Sequence, residues 1–172
     1  MNNVQVPLNN ASVLIVDDSY YNIKTLTMIL KHEECNVRSA LSYELGLKSA
    51  VENPPDIILI RANMSNEDGY KVCEALKTYS SIKKIPIIFT SENNEIIDRD
   101  KVFSAGADDY IIMPFSYKEV LARVKTHLKL YFMSMEMEKY NKGSYDEVRE
   151  FNESLVRDNN NLKMQVKKKT SS

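Results

Sequence analysis

The chain has 172 residues, of which 43% are hydrophobic and 27% are charged. That is enough for one domain with a hydrophobic core and an additional segment, but not for two full domains. The 23 basic and 24 acidic side chains give a formal net charge of -1, so the composition favours neither nucleic acid nor a membrane surface as a partner. The apolar runs are far shorter than the roughly 20 residues that cross a bilayer, and the first ten residues lack an apolar signal core. We therefore expect a cytoplasmic protein.

Five short apolar runs alternate with amphipathic stretches along the first 130 residues. The predicted strands are Val13–Val16, Val37–Ala40, Ile57–Ile60, Ile85–Phe89 and Tyr110–Ile112. Strands that are apolar on both faces suit a parallel sheet covered by helices on each side. The repeat predicts an α/β fold with a doubly wound, five-stranded parallel sheet. We place this domain in residues 12–130, after a flexible leader over residues 1–11.

The composition changes after about Leu130 to Met, Glu, Lys and Asn, and Gly143-Ser144 is expected to interrupt what would otherwise be one long helix. A weak heptad can be written with Val148, Leu155 and Leu162 at one seam position and Tyr145, Asn152, Asn159 and Val166 at the other. The two seam asparagines would suit a parallel dimer. We interpret residues 131–172 as a helical or coiled-coil tail that supports a homodimer. The alternative is a polar tail that is partly helical or frayed.

In open α/β sheets, ligands bind beyond the carboxyl ends of the strands. At these ends the sequence has a carboxylate pair, Asp17 and Asp18, a loop that runs from Arg61 to Gly69, and the hydroxyl of Ser91. The pattern contains neither a Gly-rich phosphate loop nor a nucleophile-elbow motif. We therefore expect a protein that is not an enzyme.

The same strand ends carry runs that resemble the receiver domains of two-component response regulators, the CheY-like family. The matching runs are Leu14–Ser19, Pro55–Ile60, Asn63-Met64 followed by Asp68–Tyr70, and Gly106–Tyr110. The resemblance covers roughly Ser12 to Leu130 and implies a flavodoxin-like sheet with strand order 2-1-3-4-5. In that family an acidic pair helps to hold Mg²⁺, and an aspartate at the end of strand three accepts a phosphoryl group. A Ser or Thr hydroxyl of strand four senses that group, and a lysine before a proline of strand five pairs with it.

Two of these four features are present, with Asp17 and Asp18 at the acidic pair and Ser91 at the hydroxyl. The position of the phosphoacceptor is Arg61, and the position of the lysine is Met113. Arginine has no nucleophilic carboxylate and stays protonated, so it cannot form an acyl phosphate. The resemblance therefore predicts a degenerate pseudo-receiver in which no residue is catalytic.

A guanidinium at Arg61 would repel Mg²⁺ and would itself pair with Asp17 and Asp18. We therefore expect no cofactor, with Mg²⁺ binding lost or weak, although Asn63 stands where the family supplies a backbone carbonyl to the ion. In the alternative, Arg61 points out of the pocket, and the two aspartates form a solvated pair that binds a cation weakly.

Other residues carry weaker signals. Ser65 replaces the proline that usually follows Met64 in this loop, and the loop residues Ser65–Asp68 could accept a phosphoryl group only if the loop held them at the strand end. Tyr110 stands where receivers often have an aromatic switch, and we expect it to pack or to form an interface. We assign no chemistry to the histidines and cysteines, which are His32, His127, Cys35 and Cys73.

Three functions fit this sequence. The first is a phosphorylation-independent module in two-component-type signalling, which contacts a protein partner or a second copy through its fourth and fifth helices and its tail. The second is a regulatory N-terminal segment of a larger output enzyme, such as a cyclase, a diguanylate cyclase or a kinase. The third is a conventional phospho-receiver that carries a variant at Arg61.

Overall fold

The computed structural model describes residues 8–64, 67–92 and 99–170, and the side chains within these ranges except those of residues 67, 99 and 158–170. The chain divides into two compact units, Met1–Tyr131 and Phe132–Ser172. Within the described ranges, no helix is both long enough and apolar enough to span a membrane.

The first unit is built on a five-stranded parallel sheet. Its strands are β1 (Ser12–Val16), β2 (Asn36–Ala40), β3 (Ile57–Arg61), β6 (Ile87–Ser91) and β7 (Asp109–Ile112), and a separate antiparallel pair consists of β4 (Asn63–Met64) and β5 (Glu67–Asp68). The sheet order is β2-β1-β3-β6-β7. Counted along the five sheet strands, this is the order 2-1-3-4-5, which confirms the predicted flavodoxin-like fold.

The helices that follow the strands are α1 (Tyr20–His32), α2 (Tyr43–Glu52), α3 (Gly69–Thr78), α4 (Arg99–Ser104) and α5 (Tyr117–Thr170). Three of them begin at a polar cap, because the side chains of Ser19, Ser42 and Asp68 each accept a hydrogen bond from a backbone N–H of the first turn. These caps help to set where each helix leaves the carboxyl end of the preceding strand.

The core lies on both sides of the central strands. All four residues of Ile57–Ile60 are at most 1% exposed, and Leu14 and Phe89 on the neighbouring strands are completely buried. The edge strand β2 is only partly covered. Because the sheet registers pair Val16 with Ile60 and Arg61 with Thr90, the carboxyl ends of β1, β3 and β6 meet at one edge of the sheet.

The strand β6 begins two residues later than predicted, at Ile87 instead of Ile85. The N–H of Ile85 donates to the carbonyl of Ile82 at 2.7 Å, so Ile85 belongs to the preceding turn although its side chain is buried. An apolar run indicates burial, and the buried turn residues before a strand extend the run beyond the strand. At its other end β6 continues past the apolar run, because the polar residues Thr90 and Ser91 belong to the strand.

Of the leader predicted over residues 1–11, residues 1–7 lie outside the described ranges. Leu8 and Ala11 are buried at 4% and 5% exposure, and the N–H of Asn10 donates to the carbonyl of Glu34 at 3.0 Å. Residues 8–11 are therefore part of the domain.

The predicted interruption at Gly143-Ser144 is wrong, since α5 continues from Tyr117 to Thr170 without a break. A glycine inside a helix costs only about 1 kcal/mol relative to alanine, whereas proline breaks the helix. The sequence contains no proline after Pro114. Gly143 is therefore tolerated, because the residues on both sides of it favour a helix.

Candidate functional site

Asp17 follows β1 and is the most deeply buried carboxylate of the site, at 1% exposure. Its Oδ1 accepts the Ser19 N–H at 2.7 Å, and its Oδ2 accepts the Asn22 side-chain amide at 3.0 Å. Burial raises the pKa of Asp17 above its usual value, and Asp18 adds to the rise, whereas these hydrogen bonds and the Arg61 charge act in the opposite direction. The fold therefore holds a carboxylate that needs its partners to stay ionised.

Arg61, the last residue of β3, lies among three carboxylates. Its Nη1 is 3.0 Å from Asp18 Oδ1 and 3.6 Å from Asp17 Oδ1, and its Nη2 forms an ion pair with Glu92. The Arg61 side chain is only 15% exposed. We refer to Asp17, Asp18, Arg61 and Glu92 as the Arg61 cluster.

The backbone that carries Arg61 is held from three directions. The Tyr43 hydroxyl donates to the Arg61 carbonyl at 2.8 Å, the Ala62 N–H donates to the Thr90 carbonyl at 2.9 Å, and the Gly69 N–H donates to the Ala62 carbonyl at 2.9 Å. A Cβ on Gly69 would lie 2.6 Å from the Ala62 carbonyl oxygen, so only glycine allows this approach. The end of β3 therefore has a defined position beside the acidic pair.

Four other predicted site residues are Ser91, Asn63, Ser65 and Tyr110, and those that the structure describes differ in burial. Ser91 is 1% exposed, and its hydroxyl is 3.5 Å from the Glu92 carbonyl. Asn63 is exposed in β4, and Ser65 lies outside the described residues. Tyr110 packs against the core and has the Arg123 guanidinium 5.9 Å from its ring centroid.

Met113 lines a cleft of about 570 Å³ that lies beside the Arg61 cluster. The apolar wall of the cleft includes Phe115 and Tyr21, and its polar lining includes Asn22 and Glu92. Asn22 also donates to Asp17, and Glu92 is the partner of Arg61. Two of the positions at which this sequence departs from the family pattern therefore lie near each other, with Arg61 in the cluster and Met113 at the cleft.

Sequence reasoning missed Glu92, because nothing in its local sequence distinguishes it from other surface carboxylates. Its pairing with Arg61 depends on the register that sets Arg61 beside Thr90, which becomes visible only in the folded sheet. Among the described residues, no group of three or more His, Cys, Asp or Glu side chains has an arrangement that would hold a metal ion.

A second polar cluster that the sequence did not indicate joins β7 to α5. Asp109 accepts from Arg123 Nη1 at 2.7 Å, and its Oδ2 is 3.0 Å from His127 Nε2. Burial acts to raise the pKa of Asp109, but the bonds from Arg123, the Tyr110 N–H and His127 outweigh it and lower the pKa below its usual value. Both α5 side chains therefore anchor the helix to the sheet edge.

The variant Asp109→Asn is expected to lower the free energy of unfolding by about 1 kcal/mol at pH 7, because the neutral amide loses the ionic attraction to Arg123 and keeps only one acceptor oxygen at this partly exposed site. The pKa of Asp109 is lower in the folded state, so its contribution is complete above the unfolded pKa of about 3.9 and is lost as the pH falls through the folded pKa. The deficit should therefore shrink only in acid, below about pH 4. Urea unfolding followed by circular dichroism measures this.

The matched control is Glu119→Gln, because Glu119 bonds the same arginine but is 40% exposed. We expect it to cost only a few tenths of a kcal/mol. Equal losses in the two variants would show that the more buried contacts of Asp109 contribute nothing beyond an ordinary surface pair.

The two cysteines are buried and free. Burial raises the pKa of Cys35 to about 11 and that of Cys73 to about 12, so both are protonated at neutral pH. Since the thiolate is the reactive form, neither cysteine is a nucleophile in this fold.

Comparison with known proteins identifies the class to which this fold and site belong. The family model of the response regulator receiver domain matches residues 13–125. The chain therefore belongs to the response regulator receiver domain family and contains a receiver domain of two-component systems.

Three relatives illustrate the match. The chain is 32% identical over 116 residues to protein PilG of Pseudomonas aeruginosa, covering 67% of this chain and 86% of PilG. It is 32% identical over 140 residues to the transcriptional regulatory protein YvrH of Bacillus subtilis, covering 81% of this chain but 58% of YvrH. A crystal structure described as a response regulator of Chloroflexus aurantiacus superposes with a TM-score of 0.67 at 30% identity, covering 70% of this chain and 99% of the other.

Proposed function

We propose that this chain is a pseudo-receiver, a module of two-component-type signalling that binds proteins without being phosphorylated. The observation that carries the proposal is the Arg61 guanidinium, which lies 3.0 Å from Asp18 and 3.6 Å from Asp17 at the position of the family's phosphoacceptor. A guanidinium cannot attack phosphorus, and Arg61 takes the place of the aspartate whose carboxylate would do so. Phosphotransfer would then have no nucleophile.

The family implies Mg²⁺ at this acidic pair, and the residues present do not fit the ion. Mg²⁺ requires near-octahedral oxygen coordination, but both Asp17 oxygens already accept hydrogen bonds and Asp18 is bonded by Arg61. A single charge pair about 4 Å apart near a protein surface interacts by roughly 4 kcal/mol before desolvation is subtracted. Arg61 therefore supplies the positive charge that the family takes from the metal, and Mg²⁺ would bind weakly or not at all.

Without a phosphoryl signal, the module would act through surfaces that are present all the time. The partner would be another protein or a second copy of the chain. The fourth and fifth helices and the tail support this proposal with exposed apolar side chains, among them Phe103 at 53% and Tyr117 at 42% exposure. A partner that covers such side chains would remove apolar area from water, which is favourable.

The proposal is tested by amide NMR spectra recorded during titration with Mg²⁺ and beryllofluoride, a phosphoryl mimic. The native spectrum is expected to stay unchanged, whereas Arg61→Asp combined with Met113→Lys should respond at the strand ends, because it regains the carboxylate and the lysine. The single variant Met113→Lys is the control and should remain silent, since it still lacks a carboxylate at position 61. A clear response of the native chain would overturn the proposal and favour a conventional phospho-receiver.

A second candidate is a regulatory segment of a larger output protein. The chain spans just over half the length of YvrH, which is named a transcriptional regulatory protein. This candidate adds an output domain, such as a cyclase or kinase, to the same pseudo-receiver. The intact mass of the protein isolated from its native cells tests it, since a mass of 19.8 kDa would exclude an additional domain.

A further inference from the structure

The part of α5 in the second unit carries a row of exposed apolar side chains. Among the described side chains of this unit, eight large apolar residues are exposed, and six of them lie in one row. With Ser144, which is also exposed, the row consists of Met133, Met137, Tyr140, Ser144, Val148, Phe151 and Leu155. We call this the apolar row.

The apolar row repeats every 11 residues. The spacing joins Met133 to Ser144 to Leu155, Met137 to Val148, and Tyr140 to Phe151. Eleven residues in three turns give about 3.67 residues per turn, close to the 3.6 of an α-helix. The row therefore stays within a sector of about 80° and runs nearly straight along the helix for about 33 Å.

A heptad seam fits these side chains less well. A seam through Tyr145 and Asn152 would place a polar amide at the contact and would leave Phe151, which is 63% exposed, beside it. The 11-residue pattern instead brings Phe151 into the row and moves Asn152 to its flank. The face that would bind a partner is therefore defined by the longer repeat.

The two flanks of the row differ in charge and complement each other. One flank has Glu136 and Glu147, each directly before a row residue, and the other has Asn141 and Asn152, each directly after one. In a parallel pair of helices, each residue of the first flank faces the residue five positions later on the partner's second flank. This brings Glu136 opposite Asn141 and Glu147 opposite Asn152, so that amide donors meet carboxylate acceptors.

An antiparallel pair would instead bring the glutamate flanks of the two helices together, and like charges would repel each other. From the row and its flanks, we propose that this segment binds a second copy of the chain as a parallel helix pair along the apolar row. The inference rests on the interaction function proposed above and names its partner, but it does not depend on Arg61.

Sedimentation equilibrium on the full chain tests the row with two neighbouring substitutions. Leu155→Lys introduces a charge into the row, and Val156→Lys introduces the same charge at a residue that is 60% exposed but lies off the row. The native chain should be a dimer, Leu155→Lys should weaken the dimer at least about tenfold, and Val156→Lys should leave it unchanged. A monomeric native chain, or equal effects of the two substitutions, would overturn the proposal.

The direction of the pair is tested by oxidising Leu155→Cys. A parallel dimer places the two new thiols opposite each other and should form a disulfide-linked dimer, whereas an antiparallel pair centred on Ser144 separates them by about 33 Å. Cys35 and Cys73 are buried, so the unmodified chain is the control and should not cross-link. A dimer that fails to cross-link would overturn the parallel arrangement.

The outcome can be separated from that of the pseudo-receiver proposal. The amide spectrum of Leu155→Lys, like that of the native chain, should not respond to Mg²⁺ and beryllofluoride, because the substitution lies in the other unit from the Arg61 cluster. A lost dimer with silent spectra would support both proposals, and a native monomer with silent spectra would overturn only the parallel pair.

Discussion

Replacement of Arg61 by methionine is expected to lower the free energy of unfolding by about 2–3 kcal/mol. Methionine keeps much of the side-chain volume but leaves Asp17, Asp18 and Glu92 without their shared cation. The Asp17 side chain is 1% exposed, so water cannot solvate its unpaired charge, whereas the Glu92 side chain is 43% exposed and can be solvated. The expected loss is therefore smaller than for a fully buried pair. Urea unfolding followed by circular dichroism measures it.

Mg²⁺ should partly reverse this loss. In Arg61→Met the two aspartates are again a carboxylate pair without a neighbouring guanidinium, and a cation that binds only the folded state stabilises it. The native chain should show no such gain, because Arg61 occupies the same carboxylates. Stabilisation of the native chain by Mg²⁺ would contradict the proposal that Arg61 replaces the metal.

The matched control is Arg123→Met. Arg123 also bonds two carboxylates, Asp109 and Glu119, but its side chain is 35% exposed, compared with 15% for Arg61. We expect a loss of about 1 kcal/mol and no response to Mg²⁺. If Arg61→Met costs no more than Arg123→Met, the Arg61 cluster is only an ordinary surface ion pair.

Replacement of Gly69 by alanine is expected to lower the free energy of unfolding by about 2–3 kcal/mol. The added Cβ would lie 2.6 Å from the Ala62 carbonyl oxygen, 2.7 Å from the Arg61 carbonyl oxygen and 2.7 Å from the Tyr43 hydroxyl. Two of these atoms are backbone, so the helix start or the strand end must shift. The same urea unfolding experiment measures the cost, and amide spectra should show changes at the end of β3.

Gly143→Ala provides a control with the opposite sign. A Cβ at Gly143 meets no atom within 4 Å, and alanine is favoured over glycine inside a helix by about 1 kcal/mol. This variant should raise the helicity or the stability of the tail. A neutral Gly69→Ala would mean that the strand end can yield, and that Arg61 is not held by its backbone.

The apolar runs were sufficient to predict a five-stranded parallel sheet, because strands buried on both faces must be apolar wherever helices cover them. The order of the strands was implied only by the resemblance to receiver domains, and the runs through Val16, Ile60 and Phe89 are three adjacent strands in that order. Strand boundaries were predicted less well, since Ile85 is as buried as the strand residues but lies in a turn. Burial depends on the tertiary neighbours of a residue, whereas a strand depends on its hydrogen bonds.

The tail shows the limits of short-range patterns. Gly143 is a signal for a helix end, but its cost of about 1 kcal/mol is small beside the propensity of the flanking helix formers. The heptad through Tyr145 and Asn152 was written only for the last part of α5, from Tyr145 onward. Once α5 is one helix, Met133, Met137 and Tyr140 extend the pattern and change its period.

The identity of the residues at the strand ends was determined by the sequence alone, and so was the chemistry that they exclude. Arg61 is not a nucleophile in any fold. Only the tertiary structure decided where its guanidinium lies, because that position depends on Tyr43, Gly69 and the register between β3 and β6. For the same reason only the structure joined Arg61 to Glu92, 31 residues away. Contacts between side chains far apart in the chain arise from the packing of the elements and leave no local signal in the sequence.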